Sequence, residues 1–457
     1  IPPLFYAGLR ALVTIVVLAP LLRPLPEDWL RTALVGLAIG GGSFALFALG
    51  LQTASPSAAG IVGLSTAWFL QERGVDVTVV DRSGVAAGAS WGNAGWVSPA
   101  LTIPLNQPSV LRYAFTALRD PKSPLHIPLR ADPGLAAFLV RFAANCRWSS
   151  WRRAVQANVP LNEECLEAYD VLTANGVDAP TTDAPITAVF RSPRQAEHLM
   201  HELRQMQSEG QPVTATTLSG EELRTRVPLV SPAITAGVSI EGQRFIDPGR
   251  FVHALACSVR DRGAEIRRLD IRRVGTSRTG VEVRPLAAEP MTADAVVVAT
   301  GAWLPELISP QVRVPVRAGR GYSFTVPVER AMPCPIYLPD IRVACTPYQG
   351  AMRVAGTMEF RGPDEPLAPR RIGAILDSAG PLLDGVRWDE RSDIWVGPRP
   401  VTPDGRALIG EVSRGIYVAG GHGMWGLAHG PVTGRLLAEQ ITTGKQPAAL
   451  RPFDPRR

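Results

Sequence analysis

Residues 60–81 read GIVGLSTAWFLQERGVDVTVVD, and this stretch decides the fold of most of the chain. The apolar residues Ile61, Leu64, Ala67, Trp68 and Leu70 recur at the spacing of a helix that packs on a sheet. After Gly74, the residues from Val75 to Val80 form a buried, β-branched strand that ends at Asp81. The stretch therefore predicts a helix followed by a parallel strand, the second half of a βαβ unit.

Glycines at the start of this helix predict a Rossmann-like phosphate site. They let the backbone approach a pyrophosphate closely at the helix N-terminus, where free N–H groups and the helix dipole favour anions. Asp81 follows Gly60 by 21 residues, the offset at which a carboxylate accepts hydrogen bonds from a ribose. The predicted cofactor-binding residues here are Gly60, Ile61, Val62, Gly63, Asp81 and Arg82.

The beginning of this unit departs from the usual pattern. Ala58 stands where a full GxGxxG motif has its first glycine. Residues 51–57, LQTASPS, include Pro56, which cannot donate a hydrogen bond within a central strand. We therefore expect the first strand to be replaced and retention of the cofactor to be weakened.

Three further glycine-rich segments predict contacts with a flat ligand. They are residues 88–99 (GASWGNAGWVSP), 294–303 (DAVVVATGAW) and 416–434 (IYVAGGHGMWGLAHGPVTG). The last two are strands that end in glycine turns, where a parallel sheet presents backbone to a cofactor. The residues predicted to bind it are Ser90, Asn93, Ala94, Gly95, Thr300, Gly301, Trp303, Gly421, His422, Gly423 and Gly426.

Composition excludes several other classes of protein. The 457 residues are 46% hydrophobic and 19% charged, as in a folded protein of two or three domains. The net charge of +6 comes from scattered arginines, which argues against a nucleic-acid patch. Five cysteines without a CxxC pair support neither a disulfide framework nor a zinc site. His198 and His201 are three apart but have no third ligand, so no metal is predicted.

The first 56 residues predict a hydrophobic helical hairpin. Residues 32–51 are an uncharged run of 20, and residues 3–22 are interrupted only by Arg10. A helix of about 20 apolar residues spans a bilayer. Residues 1–58 resemble part of an EamA-type drug/metabolite transporter, and the hairpin implies membrane association on the cytoplasmic side. The alternative is a pair of buried core helices in a cytoplasmic protein.

Over residues 60–457 the chain resembles the FAD-dependent D-amino-acid oxidase and dehydrogenase (DAO) family. Besides the glycine-rich segments, the motifs in family order are GRGYS (319–323), RVAGTMEF (353–360), WVGPRPVTPDG (395–405) and GGHGMWG (420–426). The resemblance implies FAD as cofactor and an α/β fold. It implies a discontinuous FAD-binding domain (57–100, 239–310 and 391–457) and an α+β antiparallel-sheet substrate domain (101–238 and 311–390).

The same resemblance points to Arg399 as the anchor of the substrate carboxylate, because a guanidinium can bond both carboxylate oxygens. The alternative is an Arg399–Asp404 pair that braces a turn. Tyr322 is predicted to hydrogen-bond the substrate amine or carboxylate, with a core tyrosine as the alternative. Arg320 and Arg353 are weaker candidates. His422 is predicted to contribute backbone geometry near the flavin more than a catalytic proton.

The leading hypothesis is FAD-dependent oxidative deamination of a D-amino acid by hydride transfer from the α-carbon to the flavin. The second is a membrane-tethered or transporter-derived fusion whose flavin body is inactive or poorly loaded. The third keeps the enzyme but changes the substrate to glycine, sarcosine or a cyclic imino acid. Oxygen and a quinone remain alternatives for the electron acceptor.

Overall fold

The computed structural model describes residues 60–111, 123–128, 131–278, 280–309 and 311–457. The predicted hairpin over residues 1–56, the replaced first strand at 51–57 and Ala58 lie outside the described residues. Among the helices that are described, none combines the length and the apolar character needed to cross a membrane.

The described residues form nine α-helices and five β-sheets. In the described ranges the α-helices are α1 (Ile61–Glu72), α2 (Pro133–Asn145), α3 (Trp148–Ala174), α4 (Pro193–Ser208), α5 (Gly220–Arg226), α6 (Pro248–Asp261), α7 (Leu304–Ile308), α8 (Pro369–Ala379) and α9 (Gly426–Thr443). The strands are β1 (Thr78–Asp81), β2 (Trp96–Val97), β3 (Leu125–His126), β4 (Thr182–Asp183), β5 (Ile186–Phe190), β6 (Ala215–Leu218), β7 (Ala236–Ile240), β8 (Arg244–Phe245), β9 (Glu265–Arg268), β10 (Ile271–Thr276), β11 (Val281–Pro285), β12 (Met291–Ala293), β13 (Val296–Val298), β14 (Arg317–Val326), β15 (Ile336–Leu338), β16 (Val343–Tyr348), β17 (Ala351–Phe360), β18 (Ser392–Val401), β19 (Leu408–Ser413) and β20 (Ile416–Gly420).

The predicted helix–strand unit is present as α1 followed by β1, although the strand is shorter than predicted. Val75 does not belong to it, because its N–H donates to the carbonyl of Leu70 and Gly74 takes a left-handed φ of 73°. The paired strand therefore begins at Thr78, and β1 runs parallel to β9. β13 also runs parallel to β20, which pairs antiparallel with β19. These parallel pairs agree with the predicted α/β class.

The largest sheet is mixed, whereas an antiparallel sheet was predicted. Its order is β18-β14-β17-β16-β15-β5-β7-β6, with β3 on β17. The β15–β5 and β17–β3 pairs are parallel, and the other pairs are antiparallel. β18 hydrogen-bonds to β14 along nearly its whole length, so the sheet extends past the domain boundary predicted at residue 391.

Helix α1 is buried around most of its circumference. Leu64 and Trp68 are fully buried in a core that also contains Phe251 of α6, Tyr169 of α3 and Leu437 of α9. A helix that is apolar on all sides is stable only inside a protein. The sequence of α1 therefore requires the three helices that enclose it.

Two glycines of α9 let this helix pack closely against α1. A Cβ at Gly434 would lie 2.6 Å from the backbone nitrogen of Thr66, and one at Gly430 would lie 2.8 Å from a methyl carbon of Ile61. No side chain fits between the two helices at Gly434. Their spacing, and so the position at which each begins, depends on these glycines.

A buried polar cluster joins α9 to α3. His429 Nε2 lies 2.7 Å from Asn162 Oδ1, and Asn162 Nδ2 donates to Thr102 Oγ1 at 2.8 Å. Burial, assisted by nearby His422, lowers the pKa of His429 to about 3. Burial also lowers the pKa of His422 to about 4. Both imidazoles are therefore neutral in the folded protein at neutral pH.

We expect Gly434→Ala to lower the free energy of unfolding by about 1–3 kcal/mol, because overpacking against a backbone atom displaces a helix. The matched control is Gly373→Ala within α8, where a Cβ would meet nothing within 4 Å. That change should raise the free energy of unfolding by about 0.5–1 kcal/mol through helix propensity. Urea denaturation measures both, and equal effects would show that α1 and α9 have room to separate.

We also expect the folded state to lose stability as the pH falls below about 6.5, the unperturbed pKa of histidine. In this range the unfolded chain binds protons at His422 and His429, while the folded chain does not until about pH 4 and about pH 3. His429→Gln should reduce the slope of unfolding free energy against pH by about 1.4 kcal/mol per unit. The exposed His253 supplies the control, His253→Gln, and an unchanged slope for His429→Gln would contradict the assignment.

Candidate functional site

One cleft collects residues from all four glycine-rich segments and from β18. From the predicted set it brings together Gly60, Ile61, Val62, Ser90, Asn93, Gly301, Trp303, Arg399, His422, Gly423 and Gly426. The remaining predicted residues, namely Gly63, Asp81, Arg82, Ala94, Gly95, Thr300, Gly421 and Tyr322, do not line the cleft. Four of these eight, Gly63, Ala94, Thr300 and Gly421, are directly next to lining residues in the sequence.

Two helices begin at this cleft. Gly60 caps α1, and Gly426 is the first residue of α9. The N–H of Ile61 donates to Ser90 Oγ at 3.2 Å. The first N–H groups of a helix have no partner within the helix, and its dipole adds partial positive charge there. The cleft therefore receives positive potential from two directions.

Glycine turns leave open space on the walls of the cleft. Gly301 and Gly423 have φ angles of 58° and 56°, and a Cβ at either would meet nothing within 4 Å. Gly301 follows the end of β13 and Gly423 follows the end of β20, and these two strands pair in parallel. Thr300 Oγ1 is buried and has no hydrogen-bond partner among the described residues. The open backbone at these two turns fits a flat, polar cofactor such as FAD, and Thr300 lies next to one of them in the chain.

The end of β1 forms a compact polar turn. Asp81 Oδ1 accepts the N–H groups of Ser83 and Gly84, both at 2.8 Å. Arg82 stacks on the Trp303 ring at 4.4 Å and donates to Asp364 Oδ1 at 3.0 Å. Trp303 Nε1 donates to the other oxygen of the same carboxylate at 2.9 Å. Arg82 and Asp364 therefore hold the Trp303 side chain in position at the cleft wall.

The segment from residue 88 to 98 is held between α1 and the large sheet. Ser323 Oγ donates to the Gly92 carbonyl at 2.7 Å, and Thr346 Oγ1 donates to the Ala94 carbonyl at 2.6 Å. Asn93 Oδ1 accepts the Gly95 N–H at 3.0 Å. Asn93 and Gly95 therefore shape the turn. Sequence reasoning missed Ser323 and Thr346, because a hydroxyl on a strand carries no signal of its partner.

Arg399 projects from β18 over Gly321, where a Cβ would contact its guanidinium. Its Nη1 donates to the carbonyl of Thr357 at 3.0 Å. Thr357 has a φ of 59° at a bulge in β17, an unusual conformation for a β-branched residue. Among the described residues, no carboxylate forms an ion pair with Arg399. Burial lowers the pKa of Arg399 to about 10, which still leaves the guanidinium charged at neutral pH.

The alternative Arg399–Asp404 pair is not what the structure contains. Asp404 instead accepts from Arg406 and Arg457, each at 2.9 Å to Oδ2. Burial opposes ionisation of Asp404, but hydrogen bonding to Arg457 and the charges of both arginines lower its pKa overall. The guanidinium of Arg399 is therefore available to an anion in the cleft.

Tyr322 was predicted to contact the substrate together with Arg399. The structure does not bring these two side chains together. Successive residues of a strand point to opposite faces, and Gly321 already faces Arg399. The Tyr322 hydroxyl donates to Glu359 Oε2 at 2.6 Å within the core. Burial and this hydrogen bond raise the pKa of Tyr322 to about 12. Its position corresponds to the core alternative.

The two weaker arginine candidates also lie outside the cleft lining. Arg320 donates to the carbonyl of Pro366 at 3.0 Å. Arg353 stacks on the ring of Tyr348, with its guanidinium carbon 4.2 Å from the ring centroid. Neither shares the cleft with the glycine turns.

His422 lines the cleft, and its Nε2 lies 3.1 Å from Thr433 Oγ1. Its lowered pKa leaves it neutral at neutral pH, so it is a poor proton donor there. His198 and His201 lie on α4, where His201 contacts Gln205 and His198 contacts Glu202. In the described ranges, no group of three metal-ligating side chains includes them.

The cleft also contains residues that the sequence reasoning did not select. They flank the predicted ones in the same motifs and are Ala89, Ala299, Ala302, Pro398, Pro400, Ala419, Gly420, Met424 and Leu427. Trp395, which lies on β18 outside the cleft lining, was missed too. Its indole lies against Gly92 and Gly397, where a Cβ at either glycine would overlap the ring. The GPRP motif predicted only Arg399. The signal that could have found Trp395 is the glycine two residues after it, which leaves room for the indole.

Two curated proteins are similar to the chain over most of its length. The chain is 30% identical over 414 residues to a D-amino acid dehydrogenase of Methylobacterium sp. (strain 4-46), covering 87% of this chain and 97% of the relative. It is 29% identical over 398 residues to a D-amino acid dehydrogenase of Methylobacterium radiotolerans, covering 85% and 95%.

Two crystal structures of glycine oxidase share the fold. The enzyme from Geobacillus kaustophilus has a TM-score of 0.67 at 18% identity and covers 88% of this chain and 97% of its own. The enzyme from Bacillus cereus has a TM-score of 0.64 at 22% identity and covers 85% and 94%. The family model described as FAD dependent oxidoreductase (DAO) matches residues 59–440. With five-sixths of its length matched in this way, the chain belongs to the DAO family of FAD-dependent oxidoreductases.

Proposed function

We propose that this FAD-dependent oxidoreductase carries out the oxidative deamination of a D-amino acid. The observation that carries the proposal is the guanidinium of Arg399, which is charged, partly buried and without a carboxylate partner in the described residues. It shares a cleft with the glycine turns of Gly301 and Gly423. The curated relatives named D-amino acid dehydrogenase, matched over nearly their whole length, support this substrate class.

The residues that would hold FAD follow from the geometry of the cleft. The N-terminus of α1 at Gly60–Gly63 would receive the pyrophosphate, since helix N-termini bind anions. Asp81, at the end of β1, would accept the ribose hydroxyls. The turns at Gly301 and Gly423 and the N-terminus of α9 would contact the ring system. When bound, the flavin supplies the acceptor for two electrons and one proton.

The chain itself supplies orientation more than acid–base chemistry. Arg399 would bind both oxygens of the substrate carboxylate, which fixes the α-carbon and its hydrogen relative to the cleft. The only titratable side chains that line the cleft in the described residues are Arg399 and His422. Because burial lowers the pKa of His422 to about 4, its neutral imidazole is a weak base, and the proton lost from the substrate ammonium would pass to solvent. The imino acid that results from hydride loss then takes up water and releases ammonia and a keto acid.

Two alternatives from the sequence make different predictions. A fusion with an inactive flavin body would lack turnover with any amino acid. An enzyme for glycine, sarcosine or a cyclic imino acid would use Arg399 in the same way but would prefer those amines. We propose the D-amino acid on the strength of the dehydrogenase relatives.

Removal of the proposed carboxylate anchor should reduce turnover. We expect Arg399→Leu to lower kcat/KM for the best D-amino acid by about 30-fold or more, since loss of a buried charge partner costs about 2–5 kcal/mol. Arg399→Lys should recover only part of the loss. Lysine keeps the positive charge, but it cannot bond both carboxylate oxygens in one plane. Flavin content should stay the same in both variants. Arg391→Leu, at an exposed arginine just before β18, is the control. Wild-type kinetics in Arg399→Leu would place the anchor elsewhere.

The turn at Gly423 gives a separate test of cofactor binding. Purified protein should show the visible absorbance of a bound flavin, and Gly423→Ala should lower the flavin:protein ratio, because its Cβ would project into the cleft. Gly242→Ala is a matched control, since Gly242 has a similar φ of 71° and open surroundings but lies outside the cleft lining. Both changes carry a similar backbone strain of about 1 kcal/mol or more. Equal flavin ratios in the two variants would show that Gly423 does not approach the cofactor.

A further inference from the structure

Arg353 is a fully buried cation that does not line the cleft. It lies on β17, and among the described residues no carboxylate forms an ion pair with it. Its guanidinium carbon lies 4.2 Å from the ring centroid of Tyr348 and 5.1 Å from that of Trp91. Burial of a guanidinium is costly, and contact with aromatic faces offsets part of that cost. The two rings therefore stabilise this charge.

Strand pairing turns Arg353 toward the segment from residue 88 to 98. Directly opposite residues of paired strands share one face of the sheet, and Arg353 pairs with Thr346 on β16. Thr346 Oγ1 donates to the carbonyl of Ala94, so this face of the sheet carries the segment. Trp91 belongs to the same segment. The contact between Arg353 and Trp91 therefore joins the segment to the sheet through side chains.

The ring of Trp91 is also confined by a helix. A Cβ at Gly249, the second residue of α6, would lie 3.0 Å from Trp91 Cδ1 and 3.1 Å from Trp91 Nε1. The ring thus packs directly on the main chain of α6. Its position is set by this helix and by the guanidinium of Arg353 together.

The residues on both sides of Trp91 belong to the cofactor cleft. Ala89, Ser90 and Asn93 line it. Ser90 Oγ accepts the N–H of Ile61, the first residue of α1. A shift of the Trp91 ring would move Ser90 away from this helix N-terminus, which is where a phosphate would bind.

We propose that Arg353 is a positioning residue of the FAD site. By holding the ring of Trp91, it fixes residues 89–93 against the first turn of α1. The guanidinium itself acts from beneath the segment and does not contact the cleft. This inference rests on the proposed cofactor site and not on the proposed substrate.

The dissociation constant for FAD tests the inference without a substrate, and serial dilution of the holoenzyme measures it from the flavin released. We expect Arg353→Met to raise this constant by about 10-fold or more, because only a fraction of the molecules would then hold the segment in its binding position. Arg353→Lys should recover part of the affinity, since an ammonium also interacts with aromatic faces. Wild-type FAD affinity in Arg353→Met would overturn the inference.

Arg320 supplies the matched control. It is equally buried, lies 5.9 Å from the ring centroid of Tyr322 and donates to the carbonyl of Pro366. We expect Arg320→Met to destabilise the fold about as much as Arg353→Met, and to leave the dissociation constant for FAD within about 2-fold of the wild type. An equal loss of FAD in both variants would assign the effect to general destabilisation and overturn the inference.

A double-mutant cycle tests whether Arg353 acts through Trp91. We expect Trp91→Leu alone to raise the dissociation constant for FAD about as much as Arg353→Met does. The double variant should raise it no further, because both changes break the same contact. Multiplied effects, about 100-fold in the double variant, would show that the two residues act independently and would overturn the inference.

Amide hydrogen exchange keeps the inference testable if Arg353→Met fails to fold. In the Arg353→Lys holoenzyme we expect exchange at residues 89–93 to be about 3-fold faster or more, since a weaker contact lets the segment open locally. Exchange in α8, which packs in a different core, should not change. Unchanged exchange in the segment, or the same acceleration in α8, would overturn the inference. A wild-type enzyme that binds FAD but oxidises no D-amino acid would instead overturn the proposed function.

Discussion

The contact between α1 and α9 is the constraint on which the rest of the site depends. At Gly434 the two helices meet backbone to backbone, with 2.6 Å between the Thr66 nitrogen and the place where a Cβ would stand. Protein interiors are packed too densely to absorb an added atom at such a point. The contact therefore sets where both helices begin, and both begin at the cleft. The positive ends of two helix dipoles act on one site because two residues have no side chain.

Hydrogen bonds from the large sheet complete the cleft from the other side. Ser323 and Thr346 donate to main-chain carbonyls of Gly92 and Ala94, and Ser90 accepts from the first residue of α1. The segment between these bonds is thus tied to a helix and to a sheet at once. Each bond is individually modest, about 0.5–1.5 kcal/mol. Together they keep Arg399, which belongs to the sheet, in register with glycine turns that belong to other strands.

Local patterns predicted local structure well and long-range pairing poorly. The helix spacing of α1, the strand–turn–helix at residues 416–434 and the α/β class depend on neighbouring residues, and all are present. Tyr322 and Arg399 are on opposite sides of the sheet because alternate residues of β14 face opposite sides. A short motif does not encode which of these sides faces the cleft. The pairing of Asp404 with Arg457 joins residues 53 positions apart. The mixed sheet likewise arises from the parallel pairing of β5 with the distant β15, which leaves no local signature.

The bulge at Thr357 separates two tasks between neighbouring residues. The carbonyl of Thr357 holds the arginine on β18, while Met358 turns toward apolar side chains contributed by α2 and β3. These last elements lie far from the glycine turns in the sequence and share no hydrogen bond with Arg399 among the described residues. Mutations in them can accumulate without disturbing the guanidinium. In evolutionary terms, lineages that inherit this scaffold can diversify one short helix while selection holds the arginine constant.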